Sequence, residues 1–189
     1  NGTVGEMHAR KIANLYDMAL KMGAPIIGLL DSAGLRLQEA TDALDAMASI
    51  YAKQALASGV IPQISAVFGN CGGGLAIANA MADFTFMEEK NAKLFVNSPN
   101  ALDGNYTAKC DTASSEFQSK ESGIVDVVAD EDTIFAKIRD LVSMIPGNNE
   151  DDASYEECTD DLNRESDAVS ASDIEGSIKD IADNGVFLE

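Results

Sequence analysis

Pro25-Ile26-Ile27-Gly28-Leu29-Leu30-Asp31-Ser32-Ala33-Gly34 decides the fold. The run 25–30 is apolar without alternation, as in a strand covered on both faces of a parallel sheet. Asp31 to Gly34 then turns the chain, and a helix follows over about 41–58. Before the run, residues 7–21 place Ile12, Leu15, Ala19 and Met22 at helical spacing, and Gly23 and Pro25 stop that helix. The pattern then repeats. Gly59 breaks the second helix, and Pro62-Gln63-Ile64-Ser65-Ala66-Val67-Phe68 is a second buried strand. The turn Gly69-Asn70-Cys71-Gly72-Gly73-Gly74 leads into a helix over 75–82. Strand and helix alternate as in βαβ units, so the fold class is α/β.

Further out, short strands are predicted over 84–87, 94–96 and 124–128, and helices over 116–121 and 132–144, the last with Ile134, Ile138, Leu141 and Ile145 inward. Pro146-Gly147-Asn148-Asn149 ends the regular pattern. Residues 149–172 are dense in Asp, Glu and Ser and read as an acidic linker. Helical spacing returns through Ile174, Ile178 and Ile181.

Of 189 residues, 46% are hydrophobic, enough for one substantial core. The net charge of -19 disfavours nucleic acid and anionic membrane surfaces, both polyanions. It is unevenly spread: -12 falls on 149–189, which leaves -7 for the rest. No stretch approaches the ~20 apolar residues of a membrane span, and the first residues lack a signal-peptide pattern. A cytoplasmic protein without membrane insertion is the expectation. Three scattered cysteines, Cys71, Cys110 and Cys158, make neither a disulfide framework nor a zinc site. The single histidine, His8, reads as a capping or surface residue, and no metal is expected.

The chemistry is therefore sought in the two turns, each after a buried strand and before a helix. Carboxyl ends of adjacent parallel strands converge on one crevice. Glycines let backbone approach a ligand, and two such turns can aim two amides at one oxygen. Close helix–strand packing is the plainer account of Gly72-Gly73-Gly74. A phosphate loop is not supported, since neither GxxxxGK[ST] nor a GxGxxG fingerprint occurs. A serine-nucleophile site fails too, for want of a GxSxG elbow and a histidine partner.

The ordered blocks Gly5–Ile12, Gly28–Glu39, Ala57–Ile64, Gly69–Gly74, Asp83–Met87, Ser122–Asp126 and Ile145–Asn149 resemble one family. It is the carboxyltransferase subunit of biotin-dependent acyl-CoA carboxylases, transcarboxylases and decarboxylases. The resemblance covers about residues 1–150. It implies a crotonase-like ββα superhelix, here a partial N-terminal carboxyltransferase domain over 1–148. A linker over 149–172 and the start of a connection to a second, absent half over 173–189 would follow. By the same resemblance this half binds an acyl-CoA, while biotin on a separate carrier enters a site on the C-terminal half of a partner subunit in an oligomer. Gly73 and Gly74 would hold the enolate oxygen as catalytic groups. Ser32, Ala33, Gly34, Leu35, Arg36, Cys71 and Gly72 would line the substrate, with Arg36 either on a phosphate or paired with Glu39 or Asp31. Two features depart from the pattern: 116–120 lacks the family's histidine, and 102–112 is unlike the carboxylases. A crotonase-type hydratase would need carboxylates near the second turn, and 75–81 has none; a non-catalytic assembly domain is the other alternative.

Overall fold

The computed structural model describes residues 2–101, 109–151, 158–161, 163 and 172–187. The chain divides into two compact units, Asn1–Asp151 and Asp152–Glu189. Most of the expected linker, and most of 102–112, lies outside the described residues.

The first unit is α/β. A two-residue strand β1 (Thr3–Val4) leads into helix α1 (Glu6–Met22). The Gly5 N–H donates to Nδ1 of His8 at 3.2 Å, so the lone histidine caps this helix. Gly23 ends it in the left-handed conformation, φ 61°. Strand β2 (Ile26–Ser32) follows, then the short β3 (Gly34–Leu35), which pairs in parallel with β1. Helix α2 (Ala40–Ala57) leads to β4 (Gln63–Gly72), α3 (Gly74–Ala80), β5 (Phe84–Glu88) and β6 (Lys93–Phe95). The unit closes with α4 (Ser115–Lys120), β7 (Val127–Ala129) and α5 (Glu131–Met144).

The main sheet is parallel, in the order β2-β4-β5-β7, with β6 also paired to β4 beyond the end of β5. β4 is therefore the central strand, and its first five residues are all buried, the expected consequence of helices on both faces. Ala43, Ala46 and Ala57 let α2 lie close on the core, where Met47, Ile50, Val67, Cys71, Leu75 and Met87 pack together. On α5, Ile134, Ile138 and Leu141 are buried, each stabilising by about 1.5–3 kcal/mol relative to exposure. Polar side chains tie the layers at depth. Ser65 donates to Asn79 Oδ1 at 2.6 Å, and Gln54 Nε2 to the Ala78 carbonyl at 2.8 Å.

Three differences from the sequence reading have physical causes. The turn expected over 69–74 begins only at Gly73, because 70–72 pair with 93–95 and extend β4 as strand. The strand expected over 124–128 is shorter and later, since the Ile124 and Val125 amides donate to the Gln118 carbonyl and close a turn. On α1, the side chains buried are Ala9 and Tyr16, while Leu15 and Met22, two of the residues at helical spacing, are 55% and 73% exposed.

Among the described residues of the second unit, helix α6 (Ile174–Ile181) is capped by Asp173, whose carboxylate accepts the Gly176 N–H at 2.9 Å. None of its residues is buried. Among the described residues, ligand atoms of Cys158, Asp160 and Asp183 lie within 4.8 Å of one another, the one group with metal-ligand composition.

Candidate functional site

The two turns meet. Parallel pairing of β2 with β4 brings Ser32 opposite Cys71, after a register shift between Leu30 and Ser32. The backbone then closes to a distance that only glycine permits. A Cβ on Gly34 would stand 2.7 Å from the Gly72 carbonyl oxygen, and one on Gly72 would stand 3.0 Å from the Ala33 oxygen. Gly34 also has φ 106°, in the region L side chains rarely adopt.

Each turn is anchored separately. In the first, Ser32 Oγ donates to the Gly2 carbonyl at 2.7 Å and accepts from the Gly34 N–H at 3.3 Å. The Ala33 and Arg36 amides donate to the Gly2 and Val4 carbonyls, each at 2.8 Å. Asp31 Oδ1 accepts the Asn70 N–H at 3.0 Å and so links the turns. In the second, the Gly74 carbonyl accepts the Tyr51 hydroxyl at 2.7 Å, and Met47 presses on the same glycine. Burial raises the Tyr51 phenol pKa, which keeps this donor protonated.

Several expected roles change on this geometry. Gly73 and Gly74 were expected to present two free amides. Instead the Gly73 N–H donates to the Phe95 carbonyl at 2.9 Å, because β6 runs beside the end of β4. Gly74 opens α3, so its N–H has no partner within the helix, and the same holds for Leu75. Cys71 does not line a substrate surface with its side chain, because β4 continues through it as strand and turns the thiol into the core. It is fully buried there, and burial pushes its pKa up to about 12. Arg36 is engaged. Its Nη1 lies 3.0 Å from Glu39 Oε1 and its Nη2 donates to the Thr3 carbonyl at 3.3 Å. The Glu39 carboxyl is held below its usual range, first by the Glu6 N–H it accepts at 2.6 Å and then by Arg36. Ser32, Ala33, Gly34, Leu35 and Gly72 do come together.

Sequence reasoning missed Tyr51, Met47 and Phe95, which hold the second turn, and Gly2 to Val4, which hold the first. Phe95 lay in a segment read as strand, but nothing local said which strand it joins. Tyr51 and Met47 share a helical face, the general signal for core and nothing more.

Comparison with known proteins agrees with this architecture. The family model for the carboxyl transferase domain matches residues 1–189. The α subunit of methylmalonyl-CoA decarboxylase from Veillonella parvula is 36% identical over 201 residues, spanning all of this chain and 40% of the relative. The mitochondrial propionyl-CoA carboxylase β chain of Rattus norvegicus is 35% identical over 167 residues, 86% of this chain and 31% of that one. Among solved structures, transcarboxylase 12S with hydrolysed methylmalonyl-coenzyme A bound aligns over 98% of this chain and 38% of its own, with TM-score 0.90 and 28% identity. The chain thus spans 40% or less of these proteins, and it belongs to the carboxyl transferase domain family.

Proposed function

We propose that this chain is the acyl-CoA-binding part of a biotin-dependent carboxyltransferase, which moves a carboxyl group to or from the α-carbon of a short acyl-CoA. The observation that carries the reading is the backbone-to-backbone contact of the Gly34 and Gly72 turns at the carboxyl ends of β2 and β4. A thioester carbonyl placed there meets backbone donors fixed before the substrate arrives. Carboxyl transfer at an α-carbon passes through an enolate, so negative charge grows on that oxygen. A fixed donor is then worth about 3–4 kcal/mol in the transition state. The Gly74 amide takes this role, with Leu75 beside it, and Gly73 holds the turn against β6. Ser32, Ala33, Gly34 and Leu35 form the facing wall, and Arg36 acts by clamping that wall through Glu39 and Thr3 rather than by meeting phosphate.

Biotin, when bound, supplies or accepts the carboxyl group. In this reading the backbone donors of the second turn are taken by the thioester carbonyl, and the carboxylates of Asp31 and Glu39 already accept the amides of Asn70 and Glu6. The reading therefore assigns biotin to a separate carrier and to the C-terminal half of a partner subunit, and a reduced, cytoplasmic setting goes with it. The described residues of 1–151 contain no helix long and apolar enough to cross a membrane.

The test is thermal denaturation of the full polypeptide carrying these residues against acetyl-, propionyl- and methylmalonyl-CoA. A thioester at 100 times its Kd stabilises by about 2.7 kcal/mol. An assembly-only domain shows no shift with any of them.

A further inference from the structure

The two free amides of the second turn are each held through the opposite end of their own peptide group. A peptide group is planar and trans, so its N–H and C=O point in opposite directions and turn together. The Gly74 N–H shares its plane with the Gly73 carbonyl, and the Ala76 N–H donates to that oxygen at 3.1 Å. The Leu75 N–H shares its plane with the Gly74 carbonyl, and there the Tyr51 hydroxyl donates at 2.7 Å. The first anchor is a backbone bond of the turn itself. The second is a side chain of α2, 23 residues earlier in the chain.

Tyr51 reaches this oxygen from a rigid element. Ala43, Ala46, Met47, Ile50 and Ala57 are all buried and fix α2 on the core. Met47 stands one helical turn before Tyr51 on the same face, and the two close on Gly74 together. A Cβ on Gly74 would lie 2.7 Å from the Tyr51 oxygen and 2.9 Å from Met47 Cε. As a first-turn residue of α3, Gly74 already offers its carbonyl to the helix ladder, so the hydroxyl is a second donor on an oxygen that does not need it for satisfaction. Hydrogen bonds on a carbonyl polarise the whole peptide group and make its N–H a stronger donor. Room for an acceptor exists beside that N–H, because a Cβ on Gly73 would meet nothing within 4 Å.

We infer that Tyr51 is a positioning residue for carboxyl transfer: its hydroxyl, acting through the Gly74 carbonyl, aims and strengthens the Leu75 amide toward the thioester oxygen. The inference rests on the proposed function, which puts a thioester carbonyl at this turn.

The experiment compares the complete enzyme with its Tyr51→Phe variant, which keeps the ring and removes the hydroxyl alone. Thermal unfolding, kcat and KM for carboxyl transfer to propionyl-CoA, and the infrared band of bound ¹³C=O-labelled propionyl-CoA are measured on both. In the variant KM should stay within about twofold while kcat falls about 5-fold, the factor that one hydrogen bond of typical net worth represents. The downshift of the bound carbonyl band should shrink with it. A lower Tm with kcat and the band unchanged would make Tyr51 a structural prop and overturn the inference. A raised KM at unchanged kcat would overturn it too, since the lost contact would then serve binding uniformly. The band separates the two levels of the argument. A downshift in the native enzyme that survives intact in Tyr51→Phe refutes the role of Tyr51 alone, whereas a native band identical to that of the free thioester refutes the proposed function and the inference with it.

Discussion

Gly34→Ala tests whether the two turns meet in solution as they do in the structure. An alanine there must adopt φ near 106°, which costs about 1–2 kcal/mol for an L residue. Its methyl must also stand 2.7 Å from the Gly72 oxygen and 3.3 Å from the Gly72 carbonyl carbon. Both are backbone atoms in a paired strand, so no rotamer change relieves the contact, and overpacking of this kind costs about 1–3 kcal/mol. The sum is about 2–5 kcal/mol. For a domain of roughly 150 residues, each kcal/mol is worth about 2–4 °C in Tm, so the variant should melt on the order of 10 °C lower. Gly59→Ala is the matched control. It has φ 72° with nothing within 4 Å of the new methyl, and so carries the backbone cost alone. Urea and thermal unfolding of both variants give the comparison. If Gly34→Ala costs no more than Gly59→Ala, the turns are not in contact and the crevice is wrongly drawn.

Gly73→Val meets no neighbour within 4 Å but must hold φ 60°, ψ -129°, so it should cost about 1–3 kcal/mol and leave the fold assembled. In the complete enzyme it should lower kcat more than thioester affinity; loss of affinity alone would show uniform binding at this turn. Ala40→Gly should raise stability, because Ala40 sits at φ 44°, ψ -119° where a Cβ is strained; a variant that melts lower would mean that the strain is absent. Native protein at pH 8 should react with a thiol reagent at the exposed Cys110 and Cys158 and not at Cys71, whose raised pKa and burial keep it protonated. Because the folded pKa of Cys71 lies above its unfolded value of about 9, its stabilisation is complete below pH 9 and is lost as pH rises toward 12. Unfolding free energies at pH 8 and pH 10 should therefore fall more steeply for the native chain than for Cys71→Ala.

The alternation of strand and helix was legible because β2 and β4 are apolar runs of strand length bounded by Gly and Pro. The helices α1, α2 and α5 fall within a residue or two of the spacing that predicts them. Non-local pairings were not legible. Nothing in Lys93 to Phe95 says that it lies against 70–72, yet that pairing uses the Gly73 amide and moves the free donor to Gly74. Thr3 and Val4 are too few to read as a strand, although they carry the first turn through Gly34 and Leu35. Helical spacing placed Ile12, Leu15, Ala19 and Met22 on one helix but did not say what they meet: Leu15 and Met22 are 55% and 73% exposed and line a cavity beside β2.

The central claim is that backbone amides at the second turn, held against the first, polarise a thioester carbonyl. Its most direct test is the infrared carbonyl band of ¹³C=O-labelled propionyl-CoA bound to the full polypeptide, measured against the free thioester in water. The account predicts a downshift that diminishes in Gly34→Ala, with binding retained at raised ligand concentration. A bound thioester whose band matches the free one would contradict it.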